Sequence, residues 1–180
     1  PAGLESVGAG AFRECASLES IVVSQANRYY DSDGMALYSV GEKPSLIFVS
    51  AAFSGRYEVR EGTVRIEKGA FAGCPQVLTA SLPASVEIIV PGAFSGVADG
   101  FEIALPEANG AFFLDGPALF SADGATLVRV FPGASGTYAA PESVRRIAAF
   151  ALEGCASLRE VILPKGVREI GRYAFAESGI

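Results

Sequence analysis

The side chains that could do chemistry in this 180-residue chain are few, and three cysteines stand out among them. They are Cys15, Cys74 and Cys155. Histidine, the commonest general base and transition-metal ligand in proteins, is absent altogether. A Ser-His-Asp triad or a Cys-His pair therefore cannot form within this chain. The phosphate-binding patterns G-x-x-x-x-G-K-[ST] and G-x-G-x-x-G are also missing.

The segments around the cysteines reveal a repeat. AFRECASLESIVV begins at Ala11, AFAGCPQVLTASLP at Ala70 and ALEGCASLREVILP at Ala151. AFSGVADGFEIALP from Ala93 and AFAESGI from Ala174 are copies without cysteine. A P-x-x-V-x-x-I pattern or a variant of it precedes each copy, and the period is about 23 residues. Periods of this length are typical of solenoids, in which stacked units share one core.

The repeat divides the chain, which we interpret as one domain, 1–180, into units and two longer segments. The units are 1–23, 60–82, 83–105, 141–163 and, in part, 164–180. The longer segments are island 1 (24–59) and island 2 (106–140). ANRYYDSDGMALYS in island 1 matches ANGAFFLDGPALFS in island 2, and the shared Asp-Gly predicts a hairpin turn in each.

The alternation in L-x-x-V-x-L predicts a short strand with two inward apolar residues, and the following proline ends it. The pattern V-x-x-I adds two inward residues on the return path, and Ala-Phe adds one large side chain per unit. We therefore predict a β-rich solenoid: a right-handed coil of ~23-residue units with short parallel strands, little regular helix and two hairpin-bearing islands. Its core is expected to be continuous.

The spacing of the cysteines favours packing over thiol chemistry. No two of them fall in adjacent units, and two coils of ~4.8 Å each already exceed the ~7 Å over which a disulfide can bridge. Val97 occupies the same position in another unit. We expect each cysteine to be a small buried hydrophobe, with a disulfide or a nucleophile as the disfavoured alternatives.

Asp31-Ser32-Asp33-Gly34 could begin a calcium-binding loop. An EF-hand needs further ligands and a bidentate glutamate at position 12, and this stretch runs into MALYS instead. A turn is therefore the favoured interpretation. We predict no metal site and no cofactor.

The acidic balance of the chain limits its partners. The net charge of −6 and a pI near 4.7 disfavour nucleic acid and anionic membranes, and no apolar run approaches the ~18 residues of a membrane span. The abrupt start at PAGLESV suggests a piece of a longer protein with its targeting segment upstream. Neither end has a polar cap, so end-to-end self-association or fraying is expected.

The strand positions that point away from the core form the expected binding face. They are Ser20, Val22, Thr79, Ser81, Glu102, Ala104, Glu160 and Ile162. These small, mixed and mildly acidic side chains suit a flat protein partner, and a merely solvated face is an equal alternative. Of the many aromatic residues in the islands, most are expected in the core, and Tyr29 and Phe53 are the chief candidates for contact with protein or carbohydrate.

The full pattern V-x-x-I-x-x-x-A-F-x-x-C-x-x-L-x-x-V-x-L-P resembles the BspA-like leucine-rich repeats of bacterial surface proteins. The N-x-x-[FY]-x-x-D-G-x-L-[YF] segments of the islands are also typical of that family. The resemblance covers nearly the whole chain, with local departures such as Val97 and Ser178 for Cys and Arg60 for Pro. It implies a secreted or surface-exposed solenoid with an adhesive or binding role, and it carries over no catalytic residue.

We therefore predict a non-enzymatic scaffold, extracellular or on a cell surface, that binds another protein or a host surface component, with a glycan as a further option. Two other functions stay open. The chain could be a spacer within a larger surface protein, or an enzyme that acts on glycans with a pair of carboxylates. The second alternative is disfavoured because the acidic residues lie mostly at outward positions.

Overall fold

The computed structural model describes residues 2–8, 10–12, 15 and 17–180. This part of the chain contains fifteen short strands and no helix. The strands are β1 (Tyr30–Ser32), β2 (Ala36–Ser39), β3 (Ser45–Val49), β4 (Gly55–Glu58), β5 (Arg65–Ile66), β6 (Val77–Ser81), β7 (Ile88–Ile89), β8 (Glu102–Ala104), β9 (Phe112–Asp115), β10 (Ala118–Ser121), β11 (Thr126–Val130), β12 (Gly136–Ala139), β13 (Arg146–Ile147), β14 (Leu158–Ile162) and β15 (Glu169–Ile170). The predicted β-rich solenoid with a spacing of about 23 residues is confirmed.

Two kinds of parallel strand follow from the two halves of the repeat. The V-x-x-I half gives the two-residue strands β5, β7, β13 and β15, and the L-x-x-V-x-L half gives β6, β8 and β14. Strands of one kind stack on each other in register, as in the parallel pairs β5–β7 and β6–β8. Because each strand pairs only with its counterparts in neighbouring coils, the chain winds around a core between two rows of strands.

Each island is itself a coil with a hairpin in front of it. In island 1, β1, β2 and β3 form an antiparallel meander, and β3 then pairs in parallel with β5. The next strand, β4, pairs in parallel with β6. Island 2 repeats this plan, with β9, β10 and β11 as the meander, β13 beside β11, and β14 beside β12. The two hairpins predicted at Asp-Gly are present.

The pairing yields four sheets rather than two uninterrupted rows. Two have five strands, in the orders β1-β2-β3-β5-β7 and β15-β13-β11-β10-β9. The other two, β4-β6-β8 and β12-β14, make up the predicted binding face. That face is therefore divided at island 2, where β8 and β12 are edges of separate sheets.

The core is likewise divided at island 2. Buried hydrophobic residues form one cluster that includes Phe71, Phe94 and Leu119, and a second that includes Phe120 and Leu152. Neighbouring residues of β10 enter different clusters because successive side chains of a strand point to opposite faces. Island 2 therefore separates two clusters of buried residues, and the expectation of one continuous core is wrong.

One position in the turn before Ala-Phe requires a left-handed backbone. Glycine supplies it at Gly69 (φ 74°) and Gly92 (φ 86°), without a steric penalty. Phe150 (φ 63°) and Tyr173 (φ 56°) adopt it in the last two units, although such φ values are uncommon for aromatic residues. Their rings lie against each other with centroids 5.4 Å apart.

Candidate binding surface

The outward side chains of the three-stranded sheet lie in two rows across its strands. The register places Arg56, Thr79 and Glu102 in one row. Glu58, Ser81 and Ala104 form the other row. Neighbouring strands are ~4.8 Å apart, so each row is about 10 Å long.

The two-stranded sheet continues the same arrangement beyond island 2. Thr137 lies opposite Glu160 and Ala139 opposite Ile162. The Thr137 hydroxyl and a Glu160 carboxylate oxygen are 3.1 Å apart, so the hydroxyl donates a hydrogen bond there. Ile162 is half exposed, at 51%.

The residues predicted to form the binding face differ in their solvent exposure. Glu102, Glu160 and Ser20 are exposed, and Val22 is the most exposed of the large hydrophobic residues, at 83%. Thr79, Ser81 and Ala104 are half-buried. The Ser81 hydroxyl is buried and has no hydrogen-bond partner among the described residues.

Ser20 and Val22 lie outside the regular strands. The β pairing of their segment among the described residues is one isolated antiparallel bridge, Ile21 to Gly34. The predicted strand of the first unit is therefore reduced to one bridged residue, and these two side chains are not part of either sheet of the binding face.

Four further side chains of the face were missed by the repeat pattern. Arg56, Glu58, Thr137 and Ala139 belong to strands that end the islands, which were interpreted as interruptions of the repeat. These strands could have been predicted from the alternation in GRYEV and GTYAA, where Tyr57 and Tyr138 point inward and their neighbours point outward.

The two aromatic candidates have different environments. Tyr29 is 47% exposed at the start of the first hairpin. Phe53 is half-buried, packs against the first core cluster and meets Tyr57 edge to face, with ring centroids 5.1 Å apart. Tyr29 is therefore the more accessible of the two.

The cysteines share a repeat position but not an environment. Cys74 and Cys155 are fully buried, and each thiol donates to a carbonyl of the preceding island, Val49 at 3.2 Å and Val130 at 3.5 Å. Burial raises the pKa of Cys74 to about 12 and also raises the pKa of Cys155. Cys15 is exposed, so its expected burial is wrong.

The acidic loop of island 1 is a turn whose carboxylates are occupied by protein donors. One Asp33 oxygen accepts from the backbone N–H groups of Met35 (2.9 Å) and Ala36 (2.6 Å), and the other accepts from the Tyr57 hydroxyl at 2.7 Å. Asp31 accepts from the Ser32 N–H and pairs with Arg60 at 2.8 Å. These hydrogen bonds hold the pKa of Asp31 below its usual value.

We define hairpin 1 as residues 30–39. Hydrogen bonds connect its tip to the coils on both sides. Toward the first unit, the Ile21 N–H donates to the Gly34 carbonyl at 2.9 Å, and the Ser32 hydroxyl donates to the Ile21 carbonyl. Toward β4, the Tyr57 hydroxyl bonds both Asp33 and the Tyr38 hydroxyl. The tip of hairpin 1 is therefore bonded to both neighbouring coils; we call this a closed tip.

Hairpin 2, residues 112–121, has the same strand register but lacks these ties. Leu114 stands where hairpin 1 has Ser32, and Phe120 stands where it has Tyr38. The Tyr138 hydroxyl, equivalent to that of Tyr57, is buried without a hydrogen-bond partner in the described chain, and burial raises its pKa to about 12. Phe113 and Leu114 are 40% and 36% exposed.

The described part of the chain lacks three features that would indicate other kinds of site. None of the buried residues there is Asp or Glu, and no three His, Cys, Asp or Glu side chains come together as a metal site would require. No helix with the length and hydrophobicity of a membrane span occurs in the same part of the chain.

Two solved structures of bacterial leucine-rich repeat proteins are similar in fold to this chain. A leucine-rich repeat protein from Eubacterium ventriosum matches 98% of this chain with a TM-score of 0.69 and 18% identity. A leucine rich cell surface protein from Faecalibacterium prausnitzii matches 85% of it with a TM-score of 0.60 and 22% identity. The chain spans 50% and 44% of the lengths of these two structures. No curated protein sequence matches the chain.

The family comparison agrees with the structural one. The model of the BspA type leucine rich repeat region matches residues 1–38, 50–111 and 136–180, in six copies. These residues include all the predicted units, most of island 1 and the two ends of island 2. The chain belongs to the BspA-type leucine-rich repeat family.

Proposed function

We propose that this chain is a non-enzymatic binding scaffold, extracellular or on a cell surface, that contacts a protein partner through its outward strand face. The observation that carries the proposal is the register of that face. Exposed or half-exposed side chains of β4, β6 and β8 form rows in register, and β12 and β14 extend the pattern. Solenoids commonly bind extended partners on such a surface.

The chemistry of the face suits a protein better than a nucleic acid. Its rows mix an exposed apolar side chain, Ile162, with small residues and with the carboxylates of Glu102 and Glu160. Glu58 is neutralised in part by Arg56, 2.7 Å away. A mixed surface with one apolar anchor and carboxylates at its edge matches the general composition of protein interfaces. Tyr29, exposed at the start of hairpin 1, is a further candidate for an aromatic contact with the partner.

Binding to immobilised host matrix proteins and glycans tests this proposal. The wild-type chain is compared with Ile162→Arg and Glu102→Lys, and with Glu42→Lys as the matched charge reversal on the exposed turn before β3. We expect Ile162→Arg and Glu102→Lys each to weaken a bound partner about tenfold, which is ~1.4 kcal/mol, and Glu42→Lys to leave binding unchanged.

Two outcomes would contradict the proposal. Equal binding by all four proteins would mean that the strand face is not the contact surface. Failure of the chain to bind any partner, with the fold intact by circular dichroism, would favour the alternative of a spacer that carries another domain.

A further inference from the structure

Island 2 leaves one edge of the binding face open. β8 pairs only with β6, so its other side is a sheet edge with unpaired backbone groups. The Leu82 N–H donates to the Ala104 carbonyl, which fixes the alternation of the parallel ladder. Ile103, one residue earlier, therefore directs its N–H and C=O away from β6, toward the open side.

A cleft of about 400 Å3 lies along this edge. Its walls come from β8, from the tip of hairpin 2 and from the turn before β12. The lining residues are Gly100, Phe101, Glu102, Ile103, Leu114, Gly116, Pro117, Phe131, Gly133 and Ala134. This volume is in the range of ordinary ligand sites, and apart from Glu102 the lining residues are glycines or have apolar side chains.

The equivalent edge in the first unit is covered by the chain itself. Ile21 is the counterpart of Ile103 in the repeat. Its N–H donates to the Gly34 carbonyl, and its carbonyl accepts from the Ser32 hydroxyl. Ser50 adds a third contact, to the Leu18 carbonyl. Backbone and hydroxyl groups of hairpin 1 and of Ser50, the residue after β3, therefore occupy the place that is empty beside β8.

Three sequence differences explain why hairpin 2 does not close its own cleft. Leu114 replaces Ser32 and Phe131 replaces Ser50, so both hydroxyl donors are lost. Pro117 replaces Met35, whose N–H bonds Asp33 and organises the closed tip. Proline has no N–H, so the equivalent turn cannot form around Asp115. No bridge between Ile103 and Gly116 corresponds to Ile21–Gly34 in the described chain.

The charge around the cleft is negative. Glu102 is its one charged lining residue, and the exposed Asp99 and Asp115 are next to lining residues in sequence. An occupant that carries Lys or Arg beside apolar side chains would match this rim and the apolar floor.

We propose that this cleft binds an extended cationic peptide segment of a partner protein, which adds to the free edge of β8 as a strand. About three residues, ~10 Å of extended chain, match the length of β8. The peptide supplies a carbonyl and an N–H in place of the Gly34 carbonyl and the Ser32 hydroxyl, which bond Ile21 in the first unit. Such β-strand addition is a general mode of peptide recognition. This inference rests on the proposed scaffold function and assigns it a second, more specific contact.

Selection of random decapeptides displayed on phage against the intact 180-residue chain tests the proposal. The closing variant Leu114→Ser/Pro117→Met restores the hydroxyl and the N–H of hairpin 1. Leu78→Ser is the matched control, because Leu78 is 55% exposed and lies on β6, outside the cleft. We expect selected peptides rich in Lys or Arg and apolar residues, with about tenfold weaker binding to the closing variant and unchanged binding to Leu78→Ser.

A second measurement on the wild-type chain does not depend on the stability of any variant. Addition of a selected peptide should slow hydrogen exchange of the Ile103 amide, and N-methylation of the peptide backbone should abolish this effect. Failure to enrich any peptide on wild type over the closing variant, or N-methylated peptides that bind equally well, would overturn the proposal. Ile162→Arg should not affect binding of these peptides. The test of the cleft can therefore fail without contradicting the proposed contact at the strand face, and the reverse also holds.

Discussion

The two islands are built on one plan and differ at the tips of their hairpins. Each has an asparagine before its hairpin, and the side chain of this residue bonds an earlier coil: Asn27 bonds the Leu4 carbonyl, and Asn109 bonds the carbonyls of Ala84 and Val86. Hairpin 1 is closed by contacts to the coils on both sides, whereas hairpin 2 leaves a cleft. The asparagines thus hold both hairpins on the fold in the same way. A few residues at the hairpin tips decide whether the strand edge of the preceding coil is covered or open.

The largest difference in stability is expected at one pair of equivalent positions in β3 and β11. β3 places Phe48 there, with its ring 4.8 Å from that of Phe12, and β11 places the buried Arg129 at the equivalent position. Arg129 donates to the Phe150 carbonyl at 2.5 Å and lies 3.6 Å from the largely buried carboxylate of Glu153. Burial lowers the pKa of Arg129.

Arg129→Met is therefore expected to destabilise the fold by about 3 kcal/mol, because it leaves the Glu153 carboxylate without its cation. Glu153→Ala in addition should recover most of the loss, since Ala72 is the equivalent residue after island 1. Urea unfolding measures both effects. Equal stability of the single and double variants would contradict this interpretation of the pair.

The anchors at the base should respond alike in both islands. Asn109 is 8% exposed, and its carbonyl oxygen also accepts from the N–H groups of Ala111 and Phe112. Asn109→Ala should destabilise the fold by about 2–3 kcal/mol because several buried backbone groups lose their partner. Asn27→Ala should have a similar effect. A loss confined to one island, measured by thermal unfolding, would mean that the bases are not equivalent.

The tyrosines beneath the tips should respond differently. Tyr57→Phe removes a hydroxyl that bonds Tyr38 at 2.6 Å and Asp33 at 2.7 Å, and it should destabilise the fold by about 1–2 kcal/mol. Tyr138→Phe removes a buried hydroxyl without a partner in the described chain, and it should be neutral or slightly stabilising. Unfolding free energies of the two variants that agree within error would remove the distinction between closed and open tips.

The smallest expected effect is a pH-dependent one at the tip of hairpin 1. The pKa of Asp31 lies below its usual value because of the Ser32 N–H and then Arg60. Its contribution to stability is therefore present above the pKa of the unfolded carboxyl and is lost as the pH falls through the lower folded-state pKa. Asp31→Asn should destabilise the fold by about 0.5 kcal/mol at neutral pH and by less in acid, whereas Glu42→Gln should have no effect at either pH.

Much of the fold follows from the sequence because the repeat fixes local structure and packing together. The period, the V-x-L and V-x-x-I strands and the Asp-Gly hairpins depend on short-range alternation and turn chemistry. The position of Leu152 in the core and the burial of Cys74 follow in the same way. The exposure of Cys15 could not be predicted, because it depends on what lies beside the unit rather than on the unit itself.

The binding surface is less predictable for the same reason. Which strand edge is open depends on contacts between coils. A single difference between the islands, such as Leu114 at the position of Ser32, looks minor in the sequence. The sequence nevertheless contains the information, because a position-by-position comparison of the two islands finds three donors that island 2 lacks, two at the hairpin tip and one after β11. That Thr137 extends the face required the pairing of β12 with β14, which the repeat alone does not specify.

Hydrogen exchange of two equivalent backbone amides tests the difference between the islands most directly. The Ile21 N–H is bonded to the Gly34 carbonyl at 2.9 Å, whereas the Ile103 N–H points into the open cleft. In the free chain, we predict that the Ile21 amide exchanges slowly and the Ile103 amide at least about tenfold faster. An Ile103 amide as protected as that of Ile21 would contradict the open edge.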